Sequence, residues 1–276
     1  MSCSPERPRL HRGNALPTLA ANLTTQFREV PFAARFAAAA AQGFRHVEYQ
    51  FPYESGTAAA VAGWARAAGV EVVLHNITAG NEAAGDRGIA SLPDRVDEFR
   101  AGVAQALEYA RAAGCRRLNC LAGLHQPGVE RSRQLATLVA NAQYAADQLR
   151  PHGLELMIEA VALLPGFLIT NTVQSLAIID AVQRPNVRLQ YDLFQMHLAG
   201  ENLESQLRTL LPRIGHIQVA DAPGRHEPGT GAIDYARLLP FIDELGYRGT
   251  VGCEYFPRAG TVEGLGWARR WLQPGA

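Results

Sequence analysis

Cysteine is sparse and carries no pattern. Cys3, Cys115, Cys120 and Cys253 show neither CxxC spacing nor a disulfide framework, and a chain of 276 residues needs no covalent staples. The compartment this suggests is a reducing cytoplasm. Long apolar runs are absent as well. No stretch approaches the roughly 18 apolar residues of a membrane span, so no membrane partner is expected. The opening MSCSPERPRLHRGNALP lacks the apolar h-region of a secretory signal. Residues 1–18 are expected to form a disordered leader, with a targeting role left open. Net charge is missing too: Lys+Arg and Asp+Glu both number 26. A broad nucleic-acid footprint needs excess positive surface to displace counterions, so no nucleic-acid partner is expected, although a local basic patch is compatible with these totals.

What remains is the composition of an ordinary globular protein, 47% hydrophobic and 19% charged, long enough for one large domain. From about residue 19 the pattern alternates with little interruption. Apolar, β-favouring runs lie at 19–23, 45–50, 70–75, 116–121, 153–159, 187–192, 214–220 and 249–255. Helical stretches separate and follow them at about 31–42, 57–68, 92–113, 129–150, 171–183, 203–212, 234–245 and 261–272. Gly43, Gly69, Gly114, Gly153, Gly215 and Gly246 stand where helix stops are wanted. Strict alternation implies parallel strands joined by right-handed crossovers, and eight units close into a barrel. The expected fold is therefore α/β, a single-domain (β/α)8 TIM barrel over residues 19–276. The competing doubly wound open sheet usually has fewer strands, and no GxGxxG follows the first strand.

In such barrels the site is assembled at the C-terminal ends of the strands. Glu48 lies near the end of the second strand and His75 at the end of the third. Glu159 closes the fifth, Asp192 the sixth, Gln218 and Asp221 the seventh, and Glu254 the eighth. Carboxylates crowded into one mouth repel strongly unless a positive charge sits among them. A divalent cation held by Glu159, Asp192, Gln218 and Glu254 is the economical solution. Oxygen-rich ligation suits Mg²⁺ or Mn²⁺ better than zinc, since Cys is absent and His scarce at these positions. Glu48 and His75 are read either as hydrogen-bonded wall residues or as substrate contacts. Arg225 sits on the loop beside the proposed site, where a carboxylate-bearing substrate would need a two-point donor. His216 is read as an orienting or core histidine.

Several stretches then resemble one family: AANLTTQF (20–27), VEYQFPY (47–53), LHNITAGNEAAGDRGIA (74–90), LNCLAG (118–123), PGF (165–167), QYDLFQMH (190–197), HIQVADAPGRHEPGTGAIDY (216–235) and GCEY (252–255). Together they resemble the hydroxypyruvate isomerases and the closely related 2-oxo-tetronate isomerases, within the sugar isomerase/epimerase and endonuclease-like barrels. The resemblance implies that Glu159 and Glu254 are the catalytic acid/base pair. It gives the same four metal ligands that the strand ends suggest, and it turns Arg225 toward the substrate. Arg87, in the RGIA stretch, and Gln195 join Arg225, His75 and Glu48 as candidate substrate-binding residues. Two stretches depart from the family pattern. IEAVALLPGF replaces the proline expected after the first catalytic glutamate with Ala160, shortens the loop by about two residues and makes it apolar. The histidine expected three residues past Asp192 is Gln195, while His197 appears two residues later.

The implied reaction is a metal-assisted intramolecular isomerisation. It would interconvert a small 2-oxo-3-hydroxy acid and its isomer, as hydroxypyruvate and tartronate semialdehyde or a 2-oxo-tetronate analogue, through an enediolate. The alternative is a divalent-metal-dependent ketose 3-epimerase or sugar isomerase using the same two glutamates. More remote are an endonuclease-like phosphodiesterase and a non-catalytic binding barrel. The partner expected is a small molecule, with a homo-oligomer left open.

Overall fold

Eight parallel strands pair in chain order and close on themselves in the computed structural model, which describes residues 17–272. They are β1 (Thr18–Asn22), β2 (His46–Glu48), β3 (Glu71–Asn76), β4 (Arg117–Cys120), β5 (Glu155–Glu159), β6 (Val187–Asp192), β7 (Ile214–Val219) and β8 (Thr250–Cys253). Closure is made by β1 against β8, with Leu19 opposite Val251 and Ala21 opposite Cys253. The helices are α1 (Phe32–Ala41), α2 (Ala58–Ala68), α3 (Val96–Ala113), α4 (Arg131–Leu149), α5 (Thr172–Val182), α6 (Leu193–Leu198), α7 (Leu203–Leu210) and α8 (Tyr235–Glu244). The expected TIM barrel is the fold, and the open sheet is excluded. Of the leader expected at residues 1–18, residues 1–16 fall outside the described residues, and Thr18 already belongs to β1.

Parallel strands buried on both faces read as near-continuous apolar runs, and β7 is buried along its whole length. The main core fills the space between sheet and helices. A second, small cluster is made by Ala20, Val73, Leu74 and Met157. Two elements differ from the sequence reading. The stretch at 261–272 is not an α-helix but a 3₁₀ turn at Glu263–Ala268, where Gly264 and Gly266 weaken helix propagation. The short α6 is an addition, started by Asp192, whose Oδ1 accepts from the amides of Phe194 and Gln195 at 2.8 and 3.4 Å. Five of the six expected glycine stops have positive φ, whereas Gly215 lies inside β7. Its role is room: a Cβ there would stand 2.7 Å from Met157 Sδ.

Candidate active site

The strand ends bring the carboxylates together. Glu159 ends β5, Asp192 ends β6 and Glu254 follows β8. One oxygen from each lies within 4.8 Å of the others, and all three side chains are buried. Burial, then the charges of Glu254 and Asp192, pushes the Glu159 carboxyl well above the usual carboxylate range, against the Asn119 hydrogen bond and Arg225. Burial, followed by Glu254, pushes Asp192 up to about 7, although Arg225 and the amides of Phe194 and Gln195 pull the other way. These shifts measure how unfavourable three negative charges are in one desolvated volume.

Arg225 is the cation that answers them. Its Nη2 lies 2.7 Å from Glu254 Oε2, and its guanidinium stands 5.8 Å from the ring centroids of Phe194 and Phe256. Burial works against its charge, yet Glu254, Asp192 and Glu159 together hold its pKa above the ordinary value. The backbone of Arg225 has φ of 54°, a left-handed conformation that costs free energy in a non-glycine residue. The loop is built to enforce it. Asp221 Oδ1 accepts from the amides of Ala222 and Ile233 at 2.9 and 3.0 Å. Its Oδ2 accepts from Gly229 and Gly231 at 2.8 and 2.9 Å. Phe256 then donates its amide to the Arg225 carbonyl at 2.9 Å. Asp221, read at the sequence level among the strand-end residues, is thus the staple of the loop that carries Arg225.

The remaining expected residues divide by position. Gln218 lies in the barrel: its Nε2 donates to Glu48 Oε1 at 2.8 Å, and its Oε1 accepts from Gln190 Nε2 at 2.6 Å. A carbonyl oxygen has two lone pairs, so one remains for another partner. In place of the substrate contact considered for Glu48, the structure buries its carboxylate completely. Asn22 donates to it at 2.9 Å, Gln218 at 2.8 Å, and His216 Nε2 lies 2.6 Å away. Gly252 makes room for this group, since a Cβ there would collide with it. His75 is likewise away from the pocket. Side chains alternate along a strand, and it is the neighbouring Asn76 that lines the cavity. The His75 ring stacks on Tyr49 with centroids 5.8 Å apart, and burial lowers its pKa to about 4. Arg87 and Gln195 do line the pocket, together with Glu159, Arg225 and Glu254. Arg87 Nη1 donates to the carbonyls of Glu82 and Asp86 at 3.1 and 2.6 Å. The next residue, Gly88, has φ of 119° and sits so close to the loop after β4 that a Cβ would lie 2.5 Å from the Leu121 carbonyl. That close approach is what the RGIA stretch supplies.

Three residues escaped the sequence reading. Asn119 Nδ2 donates to Glu159 Oε2 at 2.7 Å, Gln50 Nε2 donates to Glu254 Oε1 at 2.5 Å, and Gln190 holds Gln218. All three line the same cavity, of about 130 Å³. The signal for Asn119 was present: a polar residue between Leu118 and Cys120 in a buried strand faces the opposite way from its neighbours.

The donor set fits a hard divalent cation. Asp192 Oδ2 is buried without a hydrogen-bond partner among the described residues, and the same is true of Asn119 Oδ1, Gln190 Oε1 and Arg225 Nε. Buried polar atoms are rarely left unpaired in a protein interior; these four belong to the acidic group or to residues lining the cavity, with others elsewhere in the barrel. Three carboxylates with an amide oxygen nearby suit Mg²⁺ or Mn²⁺, and no histidine belongs to the acidic group.

Comparison with known proteins gives a consistent picture. Residues 36–272 match the family described as xylose isomerase-like TIM barrel. The 2-oxo-tetronate isomerase of Pectobacterium atrosepticum is 42% identical, over 94% of this chain and 99% of its own. The hydroxypyruvate isomerase of Escherichia coli is 43% identical, over 92% and 97%. Among solved structures, one described as an AP endonuclease of family 2 from Brucella melitensis superposes with a TM-score of 0.90 at 38% identity. It covers 94% of this chain and 100% of that one.

Proposed function

The chain belongs to the xylose isomerase-like TIM barrels and, within them, to the hydroxypyruvate and 2-oxo-tetronate isomerases, which makes it an isomerase; from that premise we propose that it interconverts a small 2-oxo-3-hydroxy acid and its 3-oxo or aldehyde isomer, by proton transfer between two glutamates. The observation that carries this reading is the convergence of Glu159, Asp192 and Glu254, with Arg225 paired to Glu254 and Glu159, Glu254 and Arg225 lining one cavity. Such an isomerisation moves a proton from one carbon to its neighbour, and no outside oxidant or reductant takes part. One carboxylate removes the proton beside the carbonyl, and a carboxylic acid returns one to the adjacent carbon. Glu254, ion-paired with Arg225 and hydrogen-bonded by Gln50, is held as the base. Glu159, facing a single amide donor from Asn119, suits the acid in the same direction. In reverse the roles exchange.

Arg225 offers a planar two-point donor to the substrate carboxylate, and its attraction to Glu254 orients it. Glu159, Asp192, Gln218 and Glu254 are the residues that would hold the divalent cation, whose chemistry when bound is Lewis-acid stabilisation of negative oxygen, worth several kcal/mol. A phosphodiesterase reading lacks support, since the acidic group holds no histidine and the chain carries no net positive charge.

The test is an NMR assay of purified protein in D₂O with Mg²⁺ or Mn²⁺, offering hydroxypyruvate and 2-oxo-tetronate. Interconversion with deuterium uptake at the exchanging carbon is expected. Glu159→Gln and Glu254→Gln should each keep the fold by circular dichroism and lose about 10²–10⁴-fold in turnover. Near-normal turnover in either variant would overturn the assignment.

A further inference from the structure

The cavity's lining is mixed: polar residues that include Asn119, Glu159, Glu254 and Arg225 stand with an apolar set of Phe51, Leu121, Val161, Leu163, Leu164 and Phe167. Four of those six come from the single loop between β5 and α5. Two of the loop's amides are used within it. The amide of Val161 donates to the Ile169 carbonyl at 3.0 Å, and that of Phe167 to Leu164 at 3.1 Å. Leu163 donates its amide to Gln195 Oε1 at 2.9 Å. That hydrogen bond joins the two stretches in which the sequence departs from its family's pattern, the apolar loop after Glu159 and the glutamine three residues past Asp192. Leu163 remains 40% exposed despite its size, held by this contact at a cavity wall. Arg87, which also lines the cavity, donates its Nη1 to the carbonyls of Glu82 and Asp86.

We propose that the apolar wall receives an alkyl substituent of the substrate: the acid carries a methyl or short alkyl group beyond its reacting carbons, where a sugar-derived acid would carry hydroxymethyl. This rests on the isomerase reading and adds the substrate class. A hydroxyl pressed against Val161, Leu163 and Leu164 gives up its water without gaining a partner, whereas a methyl group there is removed from water at a gain. The polar lining residues still hold the carboxylate and the two oxygens of the reacting carbons. Chemistry is unchanged: one C–H bond breaks, its neighbour gains one, and the carbonyl and hydroxyl exchange places.

A matched pair tests it, 2-oxo-tetronate against its 4-deoxy counterpart 3-hydroxy-2-oxobutanoate, which differ by one hydroxyl. With the Mg²⁺- or Mn²⁺-loaded enzyme, kcat/KM should favour the methyl compound by about 10- to 100-fold. Leu163→Asn, at an exposed position that folding tolerates, and Leu164→Asn should each pull that ratio toward one by raising kcat/KM for the hydroxylated substrate. Turnover of both compounds with the hydroxylated one equal or better would overturn the inference and leave the isomerase reading standing. A methyl preference unmoved by both variants would overturn the assignment of the wall. Turnover of neither compound, nor of hydroxypyruvate, would overturn the isomerase reading and this inference with it.

Discussion

Asp192 divides its two oxygens between two tasks. Oδ1 caps α6, while Oδ2 has no hydrogen-bond partner among the described residues. Its pKa, raised to about 7 chiefly by burial and then by Glu254, has a sign that can be followed. A carboxyl whose folded pKa exceeds its unfolded one contributes stability that is full below the unfolded value and is lost as pH rises through the folded value. Cation-free protein should therefore melt at a lower temperature at pH 8 than at pH 6. Added Mn²⁺ should raise the melting temperature more at pH 8, because at pH 6 protons compete for the same oxygens. Equal Mn²⁺-induced shifts at the two pH values would show that the cation does not bind these carboxylates. Glu48 invites a different expectation. Leaving a buried polar group without its hydrogen-bond partner typically costs about 1–3 kcal/mol, and Glu48→Ala strips partners from His216, Asn22 and Gln218 at once. Urea unfolding should register a loss of that order; a loss below about 1 kcal/mol, the net worth of one ordinary hydrogen bond, would show that the network is dispensable. At the sequence level Glu48 stood between wall and substrate contact, because strand position alone does not reveal which carboxylates meet a histidine across the barrel.

At the scale of elements, the strands and most helices were legible because each carries a local signal, an apolar run closed by glycine or a capping side chain. What was not legible depended on contacts distant in sequence. Gly215 looked like a helix stop until Met157 from β5 was seen against it. Asp221 looked like part of a polar strand end, yet the four amides it binds come from residues up to twelve positions away. The loop between β7 and α8 is in effect an element of its own, ordered by one carboxylate. Asp221→Asn replaces one acceptor oxygen with a donor and must lose two of those four hydrogen bonds. Arg225 would then be poorly placed for binding, while Glu159 and Glu254 remain where they are. The expected outcome is a KM raised about tenfold, equivalent to about 1.4 kcal/mol of lost binding, with a smaller change in kcat. A change in kcat alone would place Asp221 in the chemistry instead.

Across the whole molecule the positive charge is all of one kind. The sequence contains no lysine, so each of its 26 Lys-or-Arg positions is arginine. An enzyme working on a carbonyl has two general routes to a stabilised carbanion, an imine with a lysine amine or an enediolate among fixed charges. The first is closed to this barrel by composition. The second fits the proposed site, in which the strand-end carboxylates would move the proton and Arg225 would hold the acid. Two reagents distinguish these routes in one experiment. Borohydride added with hydroxypyruvate should leave activity intact and add no mass to residues 17–272, because no imine is present to be reduced. Phenylglyoxal, which attacks guanidinium groups, should inactivate the enzyme, and a saturating carboxylate substrate should slow that loss by covering Arg225. Arg225 is partly accessible, with 19% of its side chain exposed, so protection should be seen as reduced labelling of a peptide that contains it. Inactivation by borohydride with an adduct inside the barrel would reject the enediolate route, and undiminished labelling of Arg225 under saturating substrate would remove it from the binding site.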